Sequence, residues 1–448
     1  FKNSTRPSKD PGIADTLEPR FHEEVRMIIM SGIQNRRQFL QSALTTGLIL
    51  PCLSQAFAYQ AAVLERGRLI VVFLRGAYDG LSAFVPYADP YYAELRRSTR
   101  IPDPDGSAQT TIKLDPTFGL HPALTPLLPM WHDGSFTFLP ACGLPVAIRS
   151  HFEAQHQCEI GIPGKNSENS GWLNRLAALE VGRRRDQRLI GVGEANPRIL
   201  AGQANARLIP AGRSAMQTGL MANERSREAL LALYSGDDIL SQAFRQGADS
   251  RLRTAQELNL ESGTISREMM AANNGAGDIG GLTLDAQHLG TLMRADPHLR
   301  LGFLSAGGWD THASQGGVQG QLANRLGNLS RALVQLRQNF NAPGDLILVM
   351  SEFGRTCAEN GSGGTDHGHG NALWIIGNAV QGGRWHGRWS GLAPEQLHQQ
   401  RDLPVHHDFR SVLAQILAQH FNLSESQLDQ IFPGAKWDHS LNGLIRPV

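Results

Sequence analysis

The sequence predicts an α/β protein built on a doubly wound, mainly parallel sheet with helices on both faces. Three observations predict it. Short, continuous apolar runs rich in β-branched residues recur along the chain, as strands buried on both faces read. Stretches of helical periodicity separate them. Polar and glycine-rich segments come directly after the apolar runs, at the strand ends where open parallel sheets bind their ligands.

The first run, 68–74, reads Arg-Leu-Ile-Val-Val-Phe-Leu and exits into Arg75-Gly76-Ala77-Tyr78-Asp79-Gly80. Similar runs lie at 136–139, 189–192, 299–304, 346–350 and 373–376. Helical patterns occupy 122–132, 151–161, 172–179, 318–340 and 409–421. Over 223–298 the pattern turns to polar helix rich in Ala, Leu, Glu and Arg, broken by a glycine-rich stretch at 273–281, and predicts a helical insertion. That insertion belongs to one large domain spanning 65–448, with no internal repeat and no long linker.

The 448 residues are 41% hydrophobic and 19% charged with a formal net charge of +1, a composition that gives no support for nucleic-acid binding or electrostatic membrane attachment. The 48 glycines suggest many tight turns and loops that approach a site closely.

Near the start, Asn35-Arg36-Arg37-Gln38-Phe39-Leu40, a modest apolar segment at 42–50 and Ala56-Phe57-Ala58 read as a twin-arginine export signal over 30–58, cleaved after Ala58. The expected location is periplasmic or secreted, with the twin-arginine translocase as a transient partner. The apolar segment is too short for a permanent membrane anchor, and Cys52 behind Pro51 fits a lipidation site poorly. Residues 1–29 read as an extended leader or a misassigned start, disordered in either case. Because the route carries folded proteins, it suits a chain that acquires a cofactor first. Cleavage leaves Cys142, Cys158 and Cys357, which permits one disulfide and a free thiol, or none paired.

The strand-end residues form a candidate set. Asp79 stands after the first strand; Gly307-Gly308-Trp309-Asp310-Thr311-His312 stands after the 299–304 run; Glu352, then Asp366, His367 and His369, stand after the 346–350 run. A mixed Asp/Glu/His set suits zinc, or manganese and calcium where oxygen ligands dominate. Each member also has a structural reading. Asp79-Gly80 is a turn pair, Asp310 a potential helix cap, Glu352 a potential partner of Arg355, and Asp408 in His406-His407-Asp408 a cap. In Arg149-Ser150-His151-Phe152, Ser150 stands at a helix start whose free amides favour an anion such as a phosphate or sulfate ester. It reads equally as a nucleophile and as an N-cap. Arg149 and His151 would contact the substrate or transition state. Lys165, Asn166, Trp172 and Asn174 could line the pocket.

The segments FLRGAYDGLSAFVPYADPYY, FGLHPAL, RSHFEAQ, GWLNR, GGWDTH, SEFGRT, GTDHGHG, DFR and FPG, in order over 68–433, resemble the family catalogued as domain of unknown function 1501. The resemblance implies a twin-arginine-exported bacterial protein of the alkaline phosphatase and sulfatase superfamily. It implies an alkaline-phosphatase-like fold and a one-metal or two-metal site, with Asp79, Asp310 and His312 as ligands and Ser150 as nucleophile. Two registers remain for the next ligands. In one, Glu352 takes the place of a superfamily Asp and Phe353 that of a His, with His367 or His369 supplying the later histidine. In the other, Asp366-His367-Gly368 is the displaced Asp-His pair. The sulfatase pattern of Cys or Ser then x-Pro-x-Arg is not evident, since Cys142-Gly143-Leu144-Pro145 lacks the arginine. The expected function is an exported metal-dependent hydrolase of phosphate or sulfate esters. The alternatives are a catalytically silent binding or assembly protein and, from the His-x-His pair, a metal-dependent amidase.

Overall fold

The computed structural model describes residues 67–164, 167–179, 188–216, 224–259, 276 and 279–446. The export signal, the leader before it, Lys165, Asn166 and much of 273–281 lie outside the described residues. In chain order the strands are β1 (Arg68–Leu74), β2 (Phe84–Val85), β3 (Ile112–Lys113), β4 (Gly119–Leu120), β5 (Phe136–Gly143), β6 (Leu189–Gly193), β7 (Ala206–Pro210), β8 (Leu301–Ala306), β9 (Asp345–Met350), β10 (Asn371–Gly377) and β11 (His407–Asp408). The main helices are α1 (His151–Ile160), α2 (Trp172–Leu179), α3 (Glu224–Leu233), α4 (Ile239–Asn259), α5 (Leu282–Ala295), α6 (Gln321–Asn339), α7 (Phe409–Phe421) and α8 (Glu425–Ile431).

An 8-stranded sheet runs β11-β5-β10-β9-β1-β8-β6-β7, beside a 3-stranded sheet β2-β4-β3. Neighbours in the large sheet pair parallel except at β10, which is antiparallel to β5 and β9. Because β10 is reversed, its first residue, Asn371, lies at the edge where the other strands end, opposite Cys142. Alternation along β1 splits the core. Ile70, Val72 and Leu74 face a layer holding α5 and α6, while Leu69, Val71 and Phe73 face α1, α2, α7 and α8. Strands covered on both faces have no polar alternate, which is why they read as unbroken apolar runs.

Several elements differ from expectation for local reasons. The 122–132 pattern divides into a 3-10 segment (Pro122–Leu127) and a short helix (Leu128–His132), since Pro126 and Pro129 withhold amide donors. The strand expected over 299–304 begins at Leu301, because Leu299 is spent closing a turn on Asp296. β7, a sheet-edge strand of alternating burial, has no counterpart among the apolar runs. Within 223–298 the described part is mostly helical, but α5 buries Ala286, Leu289, Leu292 and Met293 in the main core and is a sheet-covering helix rather than part of an insertion. Cys142, Cys158 and Cys357 are all buried and free. Among the described residues no helix is long and apolar enough to cross a membrane.

Candidate metal centre

The loops leaving β1, β8 and β9 meet the start of α1 at one edge of the large sheet. Arg355 ties them together. Its buried guanidinium donates to the carbonyls of Ala77 (2.6 Å), Thr365 (3.0 Å) and Trp309 (3.1 Å) and to Asp310 Oδ1 (2.6 Å), so one side chain staples three loops. Two glycines permit the approach. Gly76 has φ +112 and a Cβ there would stand 2.8 Å from the Asp310 amide; one on Gly354 would stand 1.9 Å from the Gly370 carbonyl.

Inside this frame four side-chain atoms converge. His367 Nε2 lies 2.9 Å from His151 Nε2, 2.9 Å from His312 Nε2 and 3.2 Å from Asp310 Oδ1. Asp310 Oδ1 is in turn 2.9 Å from His312 Nε2 and 3.4 Å from His151 Nε2. The far nitrogen of each ring is committed. His367 Nδ1 donates to the Arg149 carbonyl (2.8 Å), which can only accept; His151 Nδ1 donates to Glu352 (2.7 Å) and His312 Nδ1 to Asp366 (3.0 Å). With each Nδ1 carrying its proton, the Nε2 atoms are left to face Asp310 Oδ1 and His367 Nε2, and a shared proton or a bound cation relieves their mutual repulsion.

Tetrahedral zinc with nitrogen ligands at its usual distance holds its ligand atoms about 3.3 Å apart, inside the 2.9–3.4 Å spread observed. His151, Asp310 and His367 offer ligand atoms all within 4.8 Å of one another. The donor set therefore fits a divalent metal held by three protein ligands, with His312 on its solvent side.

The charges agree. Burial opposes a charged imidazole at His151, but the Asp310 and Glu352 carboxylates outweigh it and raise it to about 9. Burial would raise Asp310, yet His151, His367 and Arg355 hold it well below the usual carboxylate range. Glu352, fully buried, is also held low by His151 and Gln155, and Asp366 by Asn360 and His312. Exposure rises across the cluster from Glu352 at 0% and His151 at 21% to Asp310 at 41% and His312 at 43%, so the cluster opens to solvent on the His312 side. Phe353 lies beneath the rings, stacked on His151 at 4.9 Å and tilted against His367 at 5.2 Å.

Not every expected site residue joins this cluster. Asp79, expected as a ligand, has its oxygens taken by Arg96, Ser82 and Gln315 in a buried network of its own. Asp79→Ala is therefore expected to strand the fully buried Arg96 charge and cost about 3–5 kcal/mol, measured by denaturant unfolding, while folded protein keeps its metal affinity. Metal loss without destabilisation would contradict this placement. Glu352 stands behind His151 with Gly76 N (2.8 Å), Gln155 (2.9 Å) and Ser351 (2.8 Å) on it, so its lone pairs face protein donors. Asp366 likewise stands behind His312. The two registers left open by the sequence thus supply two supporting carboxylates.

His369 is buried against His398 at 4.9 Å, apart from the cluster. Ser150 Oγ accepts the Glu153 amide at 3.5 Å as the N-cap of α1. Arg149 donates to Gln399 (2.8 Å) and Asp402 (3.1 Å) beside His367. His151, read from the sequence as a substrate contact, is the residue that moves into the candidate ligand set; its place one residue into a helix facing the strand-end acids is the available signal. Trp172 is core and Asn174 donates to the Leu200 and Ala204 carbonyls, so neither lines the cluster.

Residues 139–432 match the family model described as Protein of unknown function (DUF1501). No curated protein matches the chain.

Proposed function

We propose, for a chain that belongs to the DUF1501 family, an exported metal-dependent hydrolase of phosphate or sulfate esters. The observation that carries this reading is the convergence of three imidazole Nε2 atoms on the Asp310 carboxylate, each imidazole donating its Nδ1–H in a hydrogen bond to an oxygen behind it. In this reading His151, Asp310 and His367 hold the cation. A divalent metal there supplies Lewis-acid polarisation of an ester oxygen and makes a neighbouring water easier to deprotonate. His312, the most exposed of the three rings and backed by Asp366, is the base that takes the proton from the attacking water.

Ser150 Oγ is engaged in capping α1, and the reading therefore assigns the nucleophile to water. An anionic substrate is favoured by two partly exposed guanidiniums beside His367: Arg149, whose carbonyl holds that ring, and Arg401, which donates to the His367 carbonyl at 2.8 Å. The twin-arginine stretch supports export and passage through the translocase.

The test is turnover of aryl phosphates and aryl sulfates by the protein loaded with zinc, manganese or calcium. Activity that a chelator abolishes and the metal restores is expected. Metal binding with no turnover of either ester class would leave a metal-holding binding protein and overturn the hydrolase reading.

A further inference from the structure

α1 carries His151, Gln155 and Glu159 at successive four-residue steps, which places them along one face of the helix. All three point at the sheet edge and all three are engaged. Gln155 Oε1 accepts from Arg75 Nη1 at 2.9 Å, and Gln155 Nε2 donates to Glu352 Oε1 at 2.9 Å. Arg75, itself fully buried at the end of β1, is clamped by Glu159 (2.9 Å) and Glu194 (2.8 Å). A guanidinium has only donors, so it fixes which end of the Gln155 amide faces it. The amide nitrogen is thereby turned onto Glu352. Reversed, the amide would set its oxygen against the Glu352 carboxylate and its nitrogen against Arg75, two repulsive contacts among buried groups where the low dielectric strengthens both.

We propose that Gln155 is the positioning residue of the metal centre: Arg75 orients its amide, the amide holds Glu352 as an acceptor, and Glu352 holds the His151 ring with Nε2 toward the metal. The inference rests on the metal reading above, and adds to it that ligand geometry is set from the sheet side through a side chain that touches neither metal nor substrate. Glu352 Oε1 receives three donors, from Gly76, His151 and Gln155. Of these, the Gln155 donor comes from a side chain whose orientation Arg75 dictates.

The experiment compares zinc affinity, by competition with a chromophoric chelator, and the visible absorption of the cobalt-substituted protein in the wild type, Gln155→Glu and Gln155→Met. Gln155→Glu places an acceptor where the donor stood and is expected to weaken zinc binding about tenfold or more. Its cobalt spectrum should change as the His151 ring turns. Gln155→Met fills the space without polarity and is expected to weaken binding less, with the metal-free unfolding midpoint near that of the wild type. If Gln155→Glu does not fold, Gln155→Met alone decides, by a cobalt spectrum that shifts or does not. Zinc affinity within about threefold of wild type, well short of the loss expected for a group behind a ligand, and an unchanged cobalt spectrum in the folded variants would overturn the positioning role while leaving the metal centre standing. A wild type that binds neither zinc nor cobalt would overturn both.

Discussion

His367→Ala is expected to abolish stoichiometric metal binding and, with it, all ester turnover. His367 Nε2 is in contact with each of the other three converging atoms, at 2.9, 2.9 and 3.2 Å, so its removal takes the common member out of the set. Losses of groups one layer behind a metal ligand cost about 10–100-fold in affinity, and loss of the ligand itself should exceed that range. The fold should survive. His367 is a loop residue, its backbone bridge to Arg355 does not depend on the imidazole, and the Arg355 staple is made to carbonyls elsewhere. Zinc titration of the folded variant checks this, with the unfolding midpoint of the metal-free protein as control.

His312→Ala should behave differently, and the difference separates holding the metal from using it. His312 is the most exposed of the three rings and is backed by Asp366, which also accepts from Asn360 at 2.9 Å. As the base, its loss should lower kcat by about 10²–10⁴-fold while His151, Asp310 and His367 retain the metal. Steady-state kinetics at saturating metal, beside a binding titration, reads both quantities. Unchanged turnover with weakened metal affinity would reassign His312 as a fourth ligand.

The sheet is legible in the sequence because strands covered on both faces leave no polar alternation to confuse with a helix, and five of the runs, those near β1, β5, β6, β9 and β10, stand where the apolar residues put them. Strand direction is not legible. Nothing in the sequence of β10 marks it as antiparallel, since direction is decided by the connection and not by side-chain pattern. Chemistry is legible at the level of loops: the polar residues just past each strand end put Asp310, His312, Asp366 and His367 at one sheet edge. Asp79 reads into the same group because a strand-end Asp-Gly pair looks alike whether it binds a metal or, as here, a buried arginine seventeen residues on.

The roles of Glu352 and His151 depend on which of two adjacent layers each occupies, a distance of one hydrogen bond that residue order does not encode. Phe353, which stands where the resemblance suggests a missing histidine, proves to be the apolar surface on which two imidazoles rest. His151 reaches the same cluster from the other side, on α1.

The central claim is that the converging His151, Asp310 and His367 exist to hold a cation. The most direct test is the metal content of the purified protein after equilibration with zinc and removal of loosely bound ions, read by elemental analysis. One zinc per chain, lost in the His367→Ala variant, is the predicted result. A folded wild-type protein that retains no zinc, and no manganese or calcium when those are supplied instead, would contradict the account.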